Sequence, residues 1–157
     1  MNIFRKRKKK RKITNLEMND VPFLKFLLDE SFEATSTDLP DGPKPWIVYL
    51  TSEKFNIAIS QDRGGVWLSI APPITKSKSI SDLDYCEIRG YVSYFLNDIT
   101  YTTPPDTDKM NTAQQIWMLT DLLEEYYDRI CAFFEKEGYS HRRKEFKKFI
   151  KARREYD

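Results

Sequence analysis

Histidine and cysteine are nearly missing from this chain of 157 residues, which holds one His and two Cys. Two cysteines cannot build a disulfide scaffold, and with a single histidine they do not complete a four-ligand zinc site. No run of 18 apolar residues is present, so no segment reads as a membrane-spanning helix. No glycine-rich loop followed by Lys-Ser or Lys-Thr is present, and Asp62-Arg-Gly-Gly65 reads as turn chemistry rather than a phosphate loop. The one histidine, His141, lies among Arg142, Arg143 and Lys144, with no orienting carboxylate adjacent in sequence. Cys86 and Cys131 fall within expected helices and read as structural thiols. These shortages leave no catalytic set, no metal site and no cofactor-binding motif, and the chain reads as non-enzymatic.

Aromatics, at 14%, and charge, at 32%, are plentiful. The first supports a packed core and argues against general disorder. The charge is strongly segregated. Residues 1–12 carry eight basic residues and no acid, and residues 136–157 carry nine basic residues against four acids. That leaves nine basic and 20 acidic residues in 13–135, a net of −11 hidden beneath an overall +2. Arg5, Lys6, Arg7, Lys8, Lys9, Lys10, Arg11 and Lys12 form an unbroken cationic block, expected to repel itself into a disordered head over 1–13. Such a block is suited to weak association with nucleic acid or an anionic surface, with Arg142 and Arg143 as companions near the other end. No apolar stretch of a secretory signal follows the charges, and Asn2 stands where N-myristoylation needs glycine. A cytoplasmic location is the expectation.

The spacing predicts a first helix from about Asp20, with Pro22 in its first turn and Phe23, Phe26, Leu27 and Phe32 on one stripe, stopping before Ser36. Ser36 to Pro45 holds three prolines and a glycine and reads as a linker. Three strands follow: Trp46–Thr51, Phe55–Ser60 and Val66–Ala71. Ser52-Glu53 is the expected first turn and Gln61–Gly65 the second. Phe55, Ile57 and Ile59 match Val66, Leu68 and Ile70 in alternation, so one sheet face is apolar. The other face carries Ile47, Tyr49, Ala58, Trp67 and Ser69. Tyr49 and Trp67 are large for a solvated surface, so either a helix covers them or they anchor a partner.

A second helix of about 15 residues is expected from Ser81 or Asp82, with Leu83, Ile88, Val92 and Phe95 inward and Gly90 marking a close approach. Ile99–Thr103 has the composition of a brief edge strand before Pro104-Pro105. The third helix carries the clearest signal. Thr112 with Gln115 fits a capping box, and Ile116, Leu119, Leu123, Tyr126, Ile130 and Phe133 follow at intervals of 3, 4, 3, 4, 3, with Gly138 as the stop. Asp121, Glu124, Glu125 and Asp128 lie a turn apart on it, more in keeping with a solvated polar face than a cation site. A basic helix over about 140–155 has Phe146, Phe149 and Ile150 on one side. The fold class is therefore α+β, a three-stranded antiparallel meander covered by helices in the order αβββααα. It comprises a basic head (1–13), a body (14–137) and a C-terminal basic helix (138–157) packed on or extending from it.

Ile47-Val-Tyr-Leu, Phe55-Asn-Ile-Ala-Ile-Ser, Asp62-Arg-Gly-Gly-Val-Trp-Leu-Ser-Ile and the aromatic-rich helix from Ile116 to Phe134 resemble small bacterial immunity-type proteins of contact and polymorphic toxin systems. The likeness spans roughly residues 20–137 and lies in element order, size and acidity rather than in a diagnostic motif. It implies a protein that binds a cognate toxin and blocks its active site or substrate path. An acidic inhibitor surface suits the cationic groove of a nuclease toxin, a picture from which the basic ends depart. The expected function is a protein-binding domain whose candidate contacts are Tyr49, Trp67, Asp62, Arg63, Asp121 and Glu125. The alternative is a nucleic-acid- or ribosome-associated accessory protein that works through its basic ends.

Overall fold

The computed structural model describes residue 27 and residues 30–37, 46–75, 78–102 and 109–156. The expected basic head with Arg5 to Lys12, the start of the first helix, and the proline-rich stretches at 38–45 and 103–108 lie outside the described residues. The elements are β1 (Glu33–Thr37), β2 (Trp46–Thr51), β3 (Asn56–Asp62), β4 (Gly65–Ala71), β5 (Cys86–Glu87), α1 (Ile88–Leu96), α2 (Thr112–Phe133) and α3 (Tyr139–Tyr156). The strands form one antiparallel sheet in chain order, with four full strands and a two-residue fifth. The α+β class holds, and the three expected strands are β2, β3 and β4.

The additional strand β1 replaces the end of the expected first helix. Leu27 is helical, Ser31 takes a left-handed φ of 64°, and the Phe32 N–H donates to the Leu27 carbonyl at 3.0 Å. That is a left-handed helix stop, placed five residues earlier than Ser36. Phe32 turns into the core against Phe55, with ring centroids 5.1 Å apart. The chain then pairs with the open edge of β2, Glu33 opposite Thr51 through Thr37 opposite Ile47.

Register sets the core. Val48, Ile59 and Leu68 stand in one cross-strand row and Leu50, Ile57 and Ile70 in the next, all buried. Full burial of side chains of this size contributes about 1.5–3 kcal/mol each. Helix α2 covers this face with Ile116, Leu119, Leu123, Tyr127, Ile130 and Phe133. Tyr127 takes the place expected of Tyr126, which is half-buried and stacks on Phe95 at 6.2 Å.

The turns differ from expectation in length. Between β2 and β3 four residues intervene rather than the three expected between Thr51 and Phe55, because the Ser52 hydroxyl accepts from the N–H groups of Lys54 and Phe55 and donates to the Phe55 carbonyl. Between β3 and β4 the expected five-residue loop shrinks to two. Arg63 and Gly64, at φ 49° and 82°, form a tight turn closed by the pair Asp62 and Gly65. Gly65 has a different use, since a Cβ there would lie 2.6 Å from the Trp67 ring.

The second helix is shorter than expected. Residues Ile80–Asp82 make only a 3-10 turn, and Cys86-Glu87 is captured by the β4 edge opposite Ile70 and Ser69. Helix α1 therefore starts at Ile88. Ile99 and Thr100 form a turn, not an edge strand. The capping box of α2 lies one residue earlier than Thr112 and Gln115: Asn111 accepts from the Gln114 N–H at 2.9 Å and the Gln114 side chain accepts from the Asn111 N–H at 3.0 Å.

Helix α2 ends at Phe133, before the expected stop at Gly138. Arg142 closes that end. Its guanidinium donates to the carbonyls of Phe133 at 2.9 Å, Glu137 at 2.8 Å and Glu135, satisfying groups that a helix terminus leaves without partners. Helix α3 then packs on α1. Phe146 stacks on Tyr91 at 4.4 Å, and Ile150 approaches Gly90 so closely that a Cβ there would sit 3.0 Å from its Cδ1. This is the close approach that Gly90 signalled. Arg153 adds hydrogen bonds to the Ser93 hydroxyl at 2.9 Å and the Ile99 carbonyl at 3.1 Å.

Candidate functional site

Helix α2 has two faces. With its apolar side on the sheet, its outer side presents Asp121, Glu124, Glu125 and Asp128, all exposed. None is ion-paired to a described cation. One turn ahead of Asp121 stands Trp117, 43% exposed. An indole on the polar side of an otherwise acidic stripe was missed by the sequence reading. The signal was present, since position 117 falls outside the apolar spacing of α2, and a large aromatic there has no core to enter.

The far sheet face separates the other candidates. Tyr49 is only 9% exposed, and Tyr85 lies against it with centroids 5.8 Å apart, its own hydroxyl donating to the Ile80 carbonyl. The described cover over Tyr49 is thus the 80–85 segment rather than a helix. Trp67 remains half-buried and joins Asp62, Arg63, Arg89, Met110 and Gln115 around one shallow hollow. At the tip, the Arg63 side chain is 92% exposed and 4.0 Å from Asp62, a contact worth little in water. Gln115 fixes this tip to the start of α2. Its side chain accepts from the Val66 N–H at 3.0 Å and donates to the carbonyls of Gly64 at 2.9 Å and Met110 at 3.0 Å. The structure therefore brings together Trp67, Asp62 and Arg63, sets Asp121 and Glu125 along the outer face of α2, and buries Tyr49 apart from both.

The basic side is built by α3. Of the two arginines expected to meet nucleic acid, Arg142 is occupied at the end of α2. Arg143 pairs with Asp84 at 3.4 Å, and Lys147 reaches the same carboxylate at 3.8 Å. A cleft of about 300 Å³ opens between this side of α3 and residues 84–86. Its floor is aromatic, with Tyr91, Phe133 and Phe146, and its rim is cationic, with Arg143, Lys147, Lys151 and Arg154. Cys86 also lines it. Burial, with Glu87 beside it, pushes the Cys86 thiol up to about 11, so it stays protonated near neutral pH and is a poor nucleophile. Burial likewise raises Cys131. His141 is exposed on α3. Among the described residues no group of three or more His, Cys, Asp or Glu side chains is placed to hold a metal ion, and no helix is long and apolar enough to cross a membrane.

No protein-family model, curated protein or solved structure matches the chain.

Proposed function

We propose that this domain is a non-enzymatic binding module that docks a basic partner protein along the outer face of α2. The observation that carries the reading is the exposed Trp117 set beside four carboxylates that no described cation neutralises. Solvent-facing aromatics of this kind are common energetic anchors of interfaces. Carboxylates in a row accelerate encounter with a cationic surface. The resemblance to immunity-type proteins favours a cognate bacterial toxin as that partner, blocked by occlusion, in the cytoplasm of the producing cell. The hollow of Trp67, Asp62 and Arg63 lies at the hairpin tip, tied to the first turn of α2 by Gln115, and offers a second, separate contact patch.

The test is kinetic. Capture from lysate of the source cell identifies the partner, and its association rate is then measured against salt. Asp121→Lys with Glu125→Lys should slow association at least about tenfold at low salt, and Trp117→Ala should speed dissociation. Unchanged rates in both variants would refute the reading.

A second reading, binding of nucleic acid, is supported by Lys144, Lys147, Lys148, Lys151 and Arg154, all exposed on α3. It requires affinity for RNA or duplex DNA that falls steeply with salt, with a slope that flattens when residues 1–12 are removed. Absence of salt-sensitive binding, or a slope unchanged when residues 1–12 are removed, excludes it.

A further inference from the structure

Helices α2 and α3 turn faces of opposite charge to solvent, and the two faces share one spacing. Acids stand at Asp121, Glu124, Glu125 and Asp128 on α2, and lysines at Lys144, Lys147, Lys148 and Lys151 on α3, all exposed. Offsets of three, four and seven residues keep each set in one stripe about 100° wide and about 10 Å long. The opposing charges on each helix are held aside or lie beyond the stripe. Arg129 of α2 sits over the Phe95 ring at 4.9 Å and donates to the Phe95 carbonyl at 3.0 Å. On α3, Glu145 pairs with Lys148 at 3.1 Å, and Glu155 follows one turn past Lys151. Lys147 reaches Asp84 at 3.8 Å, and both pairs are exposed enough to exchange readily. Lys144 and Lys151 have no ion-pair partner among the described residues, nor has any of the four acids. Although consecutive in the chain, α2 and α3 are joined by no ion pair among the described residues, so both stripes face outward.

We infer that a second copy of this chain lays its α3 antiparallel across the α2 of the first. One register then sets Asp121 of one copy against Lys151 of the other, Glu124 against Lys148, Glu125 against Lys147 and Asp128 against Lys144. Antiparallel helices also oppose their dipoles favourably. Trp117, one turn ahead of Asp121, falls opposite the turn that holds the exposed Arg154, within reach of a cation–π contact. In the parallel orientation it would fall opposite Ser140 instead. Four pairs met in a single register are a closer match than a basic surface of arbitrary spacing offers. Exposed pairs make such a contact weak and salt-sensitive. The contact rests on the reading of α2 as a face for a basic protein, and it adds regulation: any other partner must first displace the second copy.

The experiment is sedimentation velocity on the purified full chain, with no partner present, over roughly 10–500 µM at low and high salt. Self-association should appear at low salt and weaken at least about tenfold at high salt. Asp121→Lys with Asp128→Lys should weaken it about tenfold or more, and so should Lys144→Glu with Lys151→Glu. An equimolar mixture of these two variants should associate again, because acid meets base between unlike copies. Thermal melts identify a variant that fails to fold, and Glu124→Lys with Glu125→Lys, or Lys147→Glu with Lys148→Glu, then takes its place. A monomer at every concentration, association indifferent to salt, or a mixture that stays apart would each overturn the proposal. So would association that persists in Lys144→Glu with Lys151→Glu and is lost when residues 1–12 are removed, which would give the α2 face to the block Arg5 to Lys12. A monomer leaves the partner kinetics of the α2 variants to be read separately, and unchanged kinetics there leave a salt-sensitive self-association standing, so the two readings fail apart.

Discussion

Helices α2 and α3 are of similar length, 22 and 18 residues, but eight residues of α2 are buried and only Phe146 of α3. The first is a wall of the core, the second an attachment. What holds α3 is a small set of specific contacts: the Phe146 stack on Tyr91, Ile150 against Gly90, Arg142 across the end of α2 and Arg153 on Ser93 and Ile99. The outward charge is mainly acidic on α2, with Arg129 the exception, and mainly basic on α3, with Glu145 and Glu155 among its cations. A protein built this way separates the stability of its fold from the surface it adds at its end, because losing α3 need not unmake the sheet.

The largest effect should come from α2. Leu123→Ala or Ile130→Ala should cost about 2–5 kcal/mol in urea titration and shift the whole molecule together. A cost below about 1 kcal/mol would mean that this face is not core. Phe146→Ala is the contrasting case. Its cost cannot exceed the free energy with which α3 docks, so the global melt should move less than in the α2 variants while hydrogen exchange in α3 accelerates selectively. Equal acceleration across sheet and helices would erase the distinction between wall and attachment. Asn111→Ala removes the cap of α2 and should cost about 1 kcal/mol. Asp84→Ala, which breaks two exposed pairs of α3, should cost less than about 1 kcal/mol and fade in high salt.

The smallest effect is a slope with pH. Burial raises the Cys86 thiol to about 11 in the folded chain, above its unfolded value. The folded state therefore disfavours the thiolate, and stability is lost as pH climbs from the ordinary thiol range of about 8.5 toward 11. Burial raises Tyr85, Tyr91 and Tyr127 in the same direction, adding losses at still higher pH. Melts of Cys86→Ala should show a shallower decline in that range, to which Cys131, also raised by burial, still contributes. An identical alkaline profile would mean that the thiol is not held protonated by its surroundings.

Much of this architecture was readable because alternation and helical spacing are local signals. Strands β2 to β4 and the inward face of α2 follow from them directly. The substitution of Tyr127 for Tyr126 has a geometric cause. A strict seven-residue repeat suits a supercoiled helix pair, whereas a helix lying on a sheet keeps 3.6 residues per turn and drifts onto the next position. Strand β1 was illegible because Glu33-Ala-Thr-Ser-Thr37 offers no apolar alternation and is selected by the open backbone edge of β2. The capping box slipped by one because Asn111 with Gln114 and Thr112 with Gln115 satisfy the same pattern. Among the candidate contacts, Asp121 and Glu125 were readable from the spacing of the helix, and Trp117 was visible as a misfit. The cleft was not, since its lining comes from residues 72, 84–86, 91, 133 and 139–154, which no local pattern joins.

Gln115 places an unusual demand on a single position. It meets two carbonyls and one N–H from three places in the chain, Gly64, Met110 and Val66. Only a primary amide offers two donors and an acceptor at one side-chain end. Glutamate would turn acceptors toward acceptors, methionine would leave all three groups unmet, and asparagine is one methylene short. Because the hairpin and the helix are some 50 residues apart, this knot closes only after the two have met. Position 115 is thus a checkpoint of assembly, at which chemical identity is dictated by donor and acceptor count rather than by size or polarity.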